Sequence, residues 1–527
     1  MKTISFLVAA AVVLLAAGCG QSNRGSVLKG AKYHYVTTEV ADAAPAPNGK
    51  AADTLMNTEE YDQIVENDFK DAKTAPLSTF SIDVDNASYS NTRRIIESGR
   101  LPEKGAVRIE EFINYFEYNY PQPEDDQPFS VTTEVWDAPW AQGHQLVRIG
   151  LQGKSPDYDN LKPSNLVFLL DTSGSMESPE KLPLLRESFI TLAGNLPKGS
   201  RVSIVTYAGS AGLVLPGTPI DELGKIKEAL SSLQAGGSTA GGAGLELAYK
   251  TASENFIKDG NNRVILATDG DFNVGVSSRS GLMDLIQKNK GQNIFLTICG
   301  FGMGNYKDGT MEELSNWSDG NYFYIDSKKE ADKVFGKELA ANLFVIAKDV
   351  KIQVEFNPAK VQAYRLIGYE NRVMNNEDFN DDLKDAGELG AGHRVTALYE
   401  VVPAGVAFNG PKTDALKYQE AAKTTGTSNE LMTVKLRYKP LQSTTSLLIE
   451  KPVAAQSTPA GKDGQFVSAV AGFGMLLRDS KYKGTLTYDM VLKLANTATA
   501  GTNDEYKKEF ISLVQQAAKI KPDVASR

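Results

Sequence analysis

Between residues 164 and 346, short apolar runs alternate with helical stripes, and that rhythm predicts the architecture of the middle of the chain. The runs are Leu166–Leu170, Val202–Tyr207, Leu213–Pro216, Arg263–Thr268, Ile294–Gly300 and Asn321–Ile325. Between the first two, Leu182, Leu185, Phe189, Leu192 and Leu196 recur at spacings of three and four, which places them on one face of a helix. Strands that alternate with amphipathic helices predict a mainly parallel, doubly wound α/β sheet with helices on both faces. Ala208–Gly212 is too short for a crossover, so Leu213–Pro216 is expected to run antiparallel, at the edge of that sheet.

On either side the period changes from helical to two. Thr79–Asp85 alternates like a strand, and Asn86-Ala87-Ser88 caps a helix expected to reach Gly99. Ile109, Phe112, Ile113 and Phe116 mark a second helix over Val107–Tyr118. Phe129–Trp136 and Gln145–Leu151 read as strands, as do Val350–Phe356, Val395–Val401, Leu431–Arg437 and, more weakly, Ser446–Glu450. The α/β unit is therefore expected to be inserted into a β-sandwich split across the sequence. Phe466, Val470, Phe473 and Leu477 share one helical face, and Phe510, Leu513 and Val514 another, so the chain ends in a helical unit. The expected division is a leader at 1–18 and a flexible tether at 19–78, with a short helix around Glu59–Phe69. A helical segment follows at 79–127, the sandwich at 128–163 plus 348–452, the α/β unit at 164–347 and a C-terminal helical domain at 463–522.

Composition narrows the class of partner. The chain is 41% apolar and 23% charged, with a formal net charge of −9, which argues against nucleic acid or an anionic membrane held by bulk charge. Gly300-Phe301-Gly302-Met303-Gly304 lacks the phosphate-binding spacing, and no Gly-Lys-Ser/Thr follows a glycine run, so no nucleotide is expected. At the N-terminus Lys2 precedes the apolar stretch Ile4–Ala17, which is too short to span a bilayer. Ala16-Ala17-Gly18-Cys19 resembles the bacterial lipobox, with Ala16 where that pattern usually has Leu. The resemblance implies cleavage before Cys19, its acylation, and attachment to a cell-envelope membrane, the outer membrane being favoured by Gly20. The other reading is ordinary secretion with an unmodified Cys19. A lipidated Cys19 leaves Cys299 alone, within the apolar run Ile294–Cys299, as a small buried hydrophobe with no disulfide partner.

The chemistry concentrates at three places. Asp171, Ser173 and Ser175 follow directly on the apolar run Leu166–Leu170 and put one carboxylate and two hydroxyls on a tight loop. Oxygen donors of this kind suit hard divalent cations. Asp269 lies just beyond the strand Val264–Thr268, and in doubly wound sheets ligands sit beyond the carboxyl ends of the strands. Gly236–Gly242 opens the helix Leu245–Phe256 and carries Thr239, a third hydroxyl. Taken alone, Asp171 to Ser175 also reads as a helix cap.

Asp171-x-Ser173-x-Ser175, Thr239 in a glycine-rich loop, and Thr268-Asp269-Gly270, in that order, resemble a von Willebrand factor type A domain with its metal ion-dependent adhesion site. The resemblance implies that Ser173, Ser175 and Thr239 are direct hydroxyl ligands, that Asp171 and Asp269 act mainly through bound water, and that a protein partner supplies an Asp or Glu carboxylate. Mg²⁺ is the first expectation for the ion, with Mn²⁺ or Ca²⁺ as alternatives. Phe80 to Asn91, together with Phe466 to Ser480, extends the likeness to bacterial type A domain lipoproteins that carry a C-terminal domain of unknown function.

The function expected is that of a membrane-anchored, metal-dependent adhesion or scaffold protein. One alternative is a structural envelope protein whose metal site stabilises an internal contact, and a lesser one is a metal-dependent hydrolase. No enzyme activity is expected. A phosphatase of the Asp-x-Asp type would need an acid where Ser173 stands, and His34, His144 and His393 all lie outside the α/β unit.

Overall fold

The computed structural model describes residues 59–520 apart from 83–84, 125, 238–240, 271, 273–278, 305, 319, 409 and 411–427. Strand Ser164–Asp171 lies inside a six-stranded sheet, between Asn261–Thr268 and Arg201–Tyr207, and is parallel to both. Phe295–Phe301 and Tyr322–Ile325 continue the parallel part, while Ala211–Pro219 closes the other edge antiparallel, as its short connection requires.

Helices cover both faces of this sheet, which explains why its inner strands are apolar at every position. Leu166, Phe168 and Leu170 point into a core shared with helices Leu182–Gly194 and Leu223–Ser232. Val167 and Leu169 point the opposite way, into a core shared with helices Gly241–Glu254, Arg279–Lys290 and Asp308–Asn316. Cys299 belongs to the first core, and its burial pushes the thiol well above its ordinary pKa.

Two antiparallel sheets form the sandwich. One has the order Lys70–Asp71, Val361–Ile367, Arg394–Pro403, Gln145–Gly153, Phe129–Asp137. The other has the order Val373–Met374, Leu77–Ser81, Val345–Phe356, Glu430–Pro440, Leu447–Ala454, with Gly387–Gly390 added beside Val345–Phe356. Ile149, Leu151, Ala397 and Tyr399 of the first sheet share a core with Phe80, Ile352, Val354 and Leu436 of the second. The chain leaves this sandwich at Gly153 and returns at Val345, so the α/β unit is an insertion within it.

The boundary at the N-terminal side differs from the sequence reading. Residues 59–69 form no helix; their one regular pairing is the bridge from Glu60 to Lys307. Lys70–Asp71 and Leu77–Ser81 are strands of the sandwich, so the described part of the 19–78 segment is structural rather than tether. Pairing over nearly three hundred residues, such as Lys70 with Tyr364, leaves no local mark in two residues of sequence.

The helical segment at 79–127 is also not separate. Its helices Ala87–Glu97 and Ile109–Asn114 pack with Lys462–Arg478, Tyr488–Thr499 and Glu505–Ala517 around one aromatic core, where Phe112, Phe116, Phe466, Phe473 and Phe510 meet. Trp136 and Trp140 are buried in the same core. Arg93 ties these parts to the α/β unit, donating to both carboxylate oxygens of Asp326, to Glu330, to Glu509 and to the Tyr115 hydroxyl. Among the described residues no helix is long and apolar enough to cross a membrane. The apolar stretch Ile4–Ala17, read above as a leader, and Cys19 lie outside the described residues.

Candidate metal centre

Asp171 is the last residue of its strand, and Asp269 follows the last residue of the neighbouring parallel strand. Parallel pairing thus delivers two carboxylates to one edge, as the sequence requires of a shared site. Both side chains are fully buried, and Thr268 donates weakly from its hydroxyl to Asp171 Oδ2 at 3.4 Å.

The loop after Asp171 is folded by its own donors. The Ser173 amide donates to Asp171 Oδ1 at 2.8 Å, which turns the chain back on itself. This brings Ser173 Oγ and Ser175 Oγ to 3.0 Å, with Ser173 buried and Ser175 exposed. The glycine-rich loop docks on the same turn: the Gly236 amide donates to the Thr172 carbonyl at 2.8 Å, and the Gly174 amide to the Gly237 carbonyl at 3.1 Å. Gly237 has φ +86°, and a β-carbon there would stand 3.1 Å from the Gly209 amide nitrogen, so both conformation and space call for glycine. Thr239 lies outside the described residues; its flanks, Gly237 and the helix from Gly241, are in place.

Burial pushes the Asp171 carboxyl up to about 6, against the Ser173 hydrogen bonds that hold it down, and the Asp269 charge adds to the rise. Two buried carboxylates at one sheet edge form a locus at which a divalent cation relieves repulsion. The donors present are carboxylate and hydroxyl oxygens, which fit Mg²⁺ or Mn²⁺ better than a soft metal. Among the described residues no group of three or more His, Cys, Asp or Glu could hold a metal ion; the set here mixes two carboxylates with two hydroxyls. Asp171, Ser173, Ser175 and Asp269 would hold the ion, which would supply a positive charge open to an outside oxygen ligand.

One neighbour was not anticipated. Lys181, at the N-terminus of helix Leu182–Gly194, donates from Nζ to Asp269 Oδ2 at 2.8 Å and is itself only 7% exposed. A cation is disfavoured by the helix dipole at that position, and this was the signal available in the sequence. The histidines of the described chain serve elsewhere: His144 pairs with Glu400 at 2.6 Å, and the His393 carbonyl accepts from Gly153 in the sandwich.

Residues 165–337 match the von Willebrand factor type A domain family, residues 55–148 the family described as von Willebrand factor, and residues 341–520 the family described as uncharacterized protein YfbK, C-terminal. The chain is 40% identical over 472 residues to the uncharacterized protein YfbK of Escherichia coli (strain K12), covering 87% of this chain and 81% of that protein. It is 27% identical over 199 residues to the uncharacterized protein sll0103 of Synechocystis, covering 38% of this chain and 46% of that one. Among solved structures, a von Willebrand factor type A protein from Catenulispora acidiphila aligns with a TM-score of 0.43 and 17% identity, over 76% of this chain and 91% of that one. Type A domains often bind protein partners through a metal ion at this motif and are generally not enzymes. The identity over most of both chains and the matched family models show that the chain belongs to the family of the Escherichia coli protein YfbK, built around a von Willebrand factor type A domain.

Proposed function

We propose that this protein is a lipid-anchored, metal-dependent protein-binding module of the cell envelope, whose site takes up a divalent cation and captures an Asp or Glu carboxylate of a partner. The observation that carries this reading is the meeting of buried Asp171 and Asp269 with the Ser173–Ser175 hydroxyl pair at one sheet edge, where Ser175 opens to solvent. Two carboxylates cancel the charge of a divalent ion when both are ionised, and the hydroxyls are neutral donors. An ion held mainly through water and hydroxyls keeps affinity for an external carboxylate. Mg²⁺ is the ion of first choice, with Mn²⁺ or Ca²⁺ as alternatives, and Thr239 completes the hydroxyl set. Cys19 supplies the anchor, with the outer membrane favoured.

The competing reading has an acidic side chain of the C-terminal helices fill the site internally. What supports the outward reading is that Glu509, on the last of these helices, is engaged by Arg93 and Lys329, and Asp504 caps its own helix. The test is capture of solubilised envelope proteins on the immobilised full chain, in Mg²⁺ and in EDTA, with and without excess acidic peptide. The expected result is a partner set present in Mg²⁺ and lost in EDTA, with acidic peptide, and in Asp171→Ala. A partner set indifferent to all three contradicts the proposal.

A further inference from the structure

Lys181 is placed as part of the metal site. Its ammonium sits 2.8 Å from Asp269 Oδ2, and both residues are buried. Its stem runs through a slot that exists because residue 302 is glycine. A β-carbon on Gly302 would come within 2.3 Å of Lys181 Cε and 2.4 Å of Cγ, and the Gly302 backbone has φ +73°. Helix Leu182–Gly194 starts immediately after Lys181, so the charge is held where the helix dipole opposes it. The ammonium's ion-pair partner is the buried Asp269 carboxylate.

We infer that Lys181 is a resident counter-charge of the site, which competes with the divalent ion for Asp269 and so limits how tightly metal is held. The inference rests on the metal-binding reading above. A divalent ion that draws on Asp269 must share that carboxylate with an ammonium or displace it. The charge of the set follows directly: Asp171 and Asp269 with a divalent ion sum to zero, and Lys181 leaves the loaded set at net +1. Lys181 therefore has two linked effects. It weakens metal uptake and strengthens the pull on an anionic partner, which ties stable loading of the site to the arrival of that partner's carboxylate.

The test is calorimetric titration of Mn²⁺ into the full chain and into Lys181→Met, with melting curves in EDTA and in Mn²⁺ beside it. Lys181→Met is expected to bind Mn²⁺ roughly tenfold more tightly than wild type, since a positive charge a few ångströms from the ion is removed. It is also expected to melt lower in EDTA and to gain more on adding Mn²⁺, because Asp269 then lacks its lysine until metal arrives. Lys181→Gln, which keeps a donor but no charge, carries the same expectation if Lys181→Met folds poorly. A folded variant that binds Mn²⁺ no more tightly than wild type overturns the inference while leaving the metal site standing. Failure of wild type and variants alike to bind Mn²⁺ overturns the metal reading and this inference with it.

Discussion

The hydroxyl oxygens of Ser173 and Ser175 stand 3.0 Å apart, one buried and one exposed, on the turn that follows Asp171. Neither packs a core, so their pairing is a feature of the site rather than of stability. The double change Ser173→Ala, Ser175→Ala is expected to lower Mn²⁺ affinity by about 10-fold or more. The melting temperature in EDTA should stay near that of wild type. Isothermal titration and differential scanning calorimetry read the two quantities separately.

The glycine-rich loop makes a related prediction. Gly237 combines φ +86° with close approach to Gly209, and its carbonyl accepts from the Gly174 amide. Gly237→Ala is expected to destabilise the protein by about 1 kcal/mol through backbone strain. It is also expected to weaken metal binding, because it disturbs the loop that carries Thr239. Urea denaturation in EDTA gives the first effect and Mn²⁺ titration the second.

Much of this site was legible in sequence because its parts are local. Asp171 ends an unbroken apolar run, Asp269 ends another, and parallel pairing then brings both to one edge without further information. Lys181 was missed because it lies at the head of an apolar helical stripe, and its contact with Asp269 depends on a slot at Gly302, more than a hundred residues away. The sandwich shows the same division. Val395–Val401 alternates and was readable, whereas Val361–Ile367 was not, because Arg365 interrupts its apolar pattern. That arginine is buried beside Glu400 at 2.8 Å, a pairing across strands that neither segment announces alone.

Arg93 is the next point of test. Its guanidinium is almost wholly buried among Asp326, Glu330 and Glu509, and joins the first helix, the α/β unit and the last helix. Arg93→Met is expected to cost about 3–5 kcal/mol, because it leaves buried carboxylates without their cation. Urea denaturation should show a lower midpoint. Loss of cooperativity is also expected, if the C-terminal helices then melt before the α/β unit.

Glu110 predicts a pH dependence. Its Oε2 is buried without a hydrogen-bond partner among the described residues, and burial, with Glu370 adding to it, pushes the carboxyl up to about 7. The folded state then binds a proton more readily than the unfolded state between the ordinary carboxylate range and about 7. Stability from this group is present at low pH and is lost as pH rises through that window, by about 1–3 kcal/mol in all. His393 acts in the opposite sense, since burial lowers its pKa and stability falls as it is protonated in acid. Glu110→Gln isolates the first effect: it should gain on wild type at pH 8 and match it at pH 5, by urea denaturation at each pH.

The central claim is that Asp171 and Asp269 hold a divalent cation. Its most direct measurement is calorimetric titration of Mn²⁺ into the purified full chain and into Asp171→Ala, after both have been stripped with EDTA. The account predicts saturable binding of a single ion to wild type and affinity weakened by at least about 10-fold in Asp171→Ala. Equal binding by the two proteins, or no binding to wild type, would contradict it.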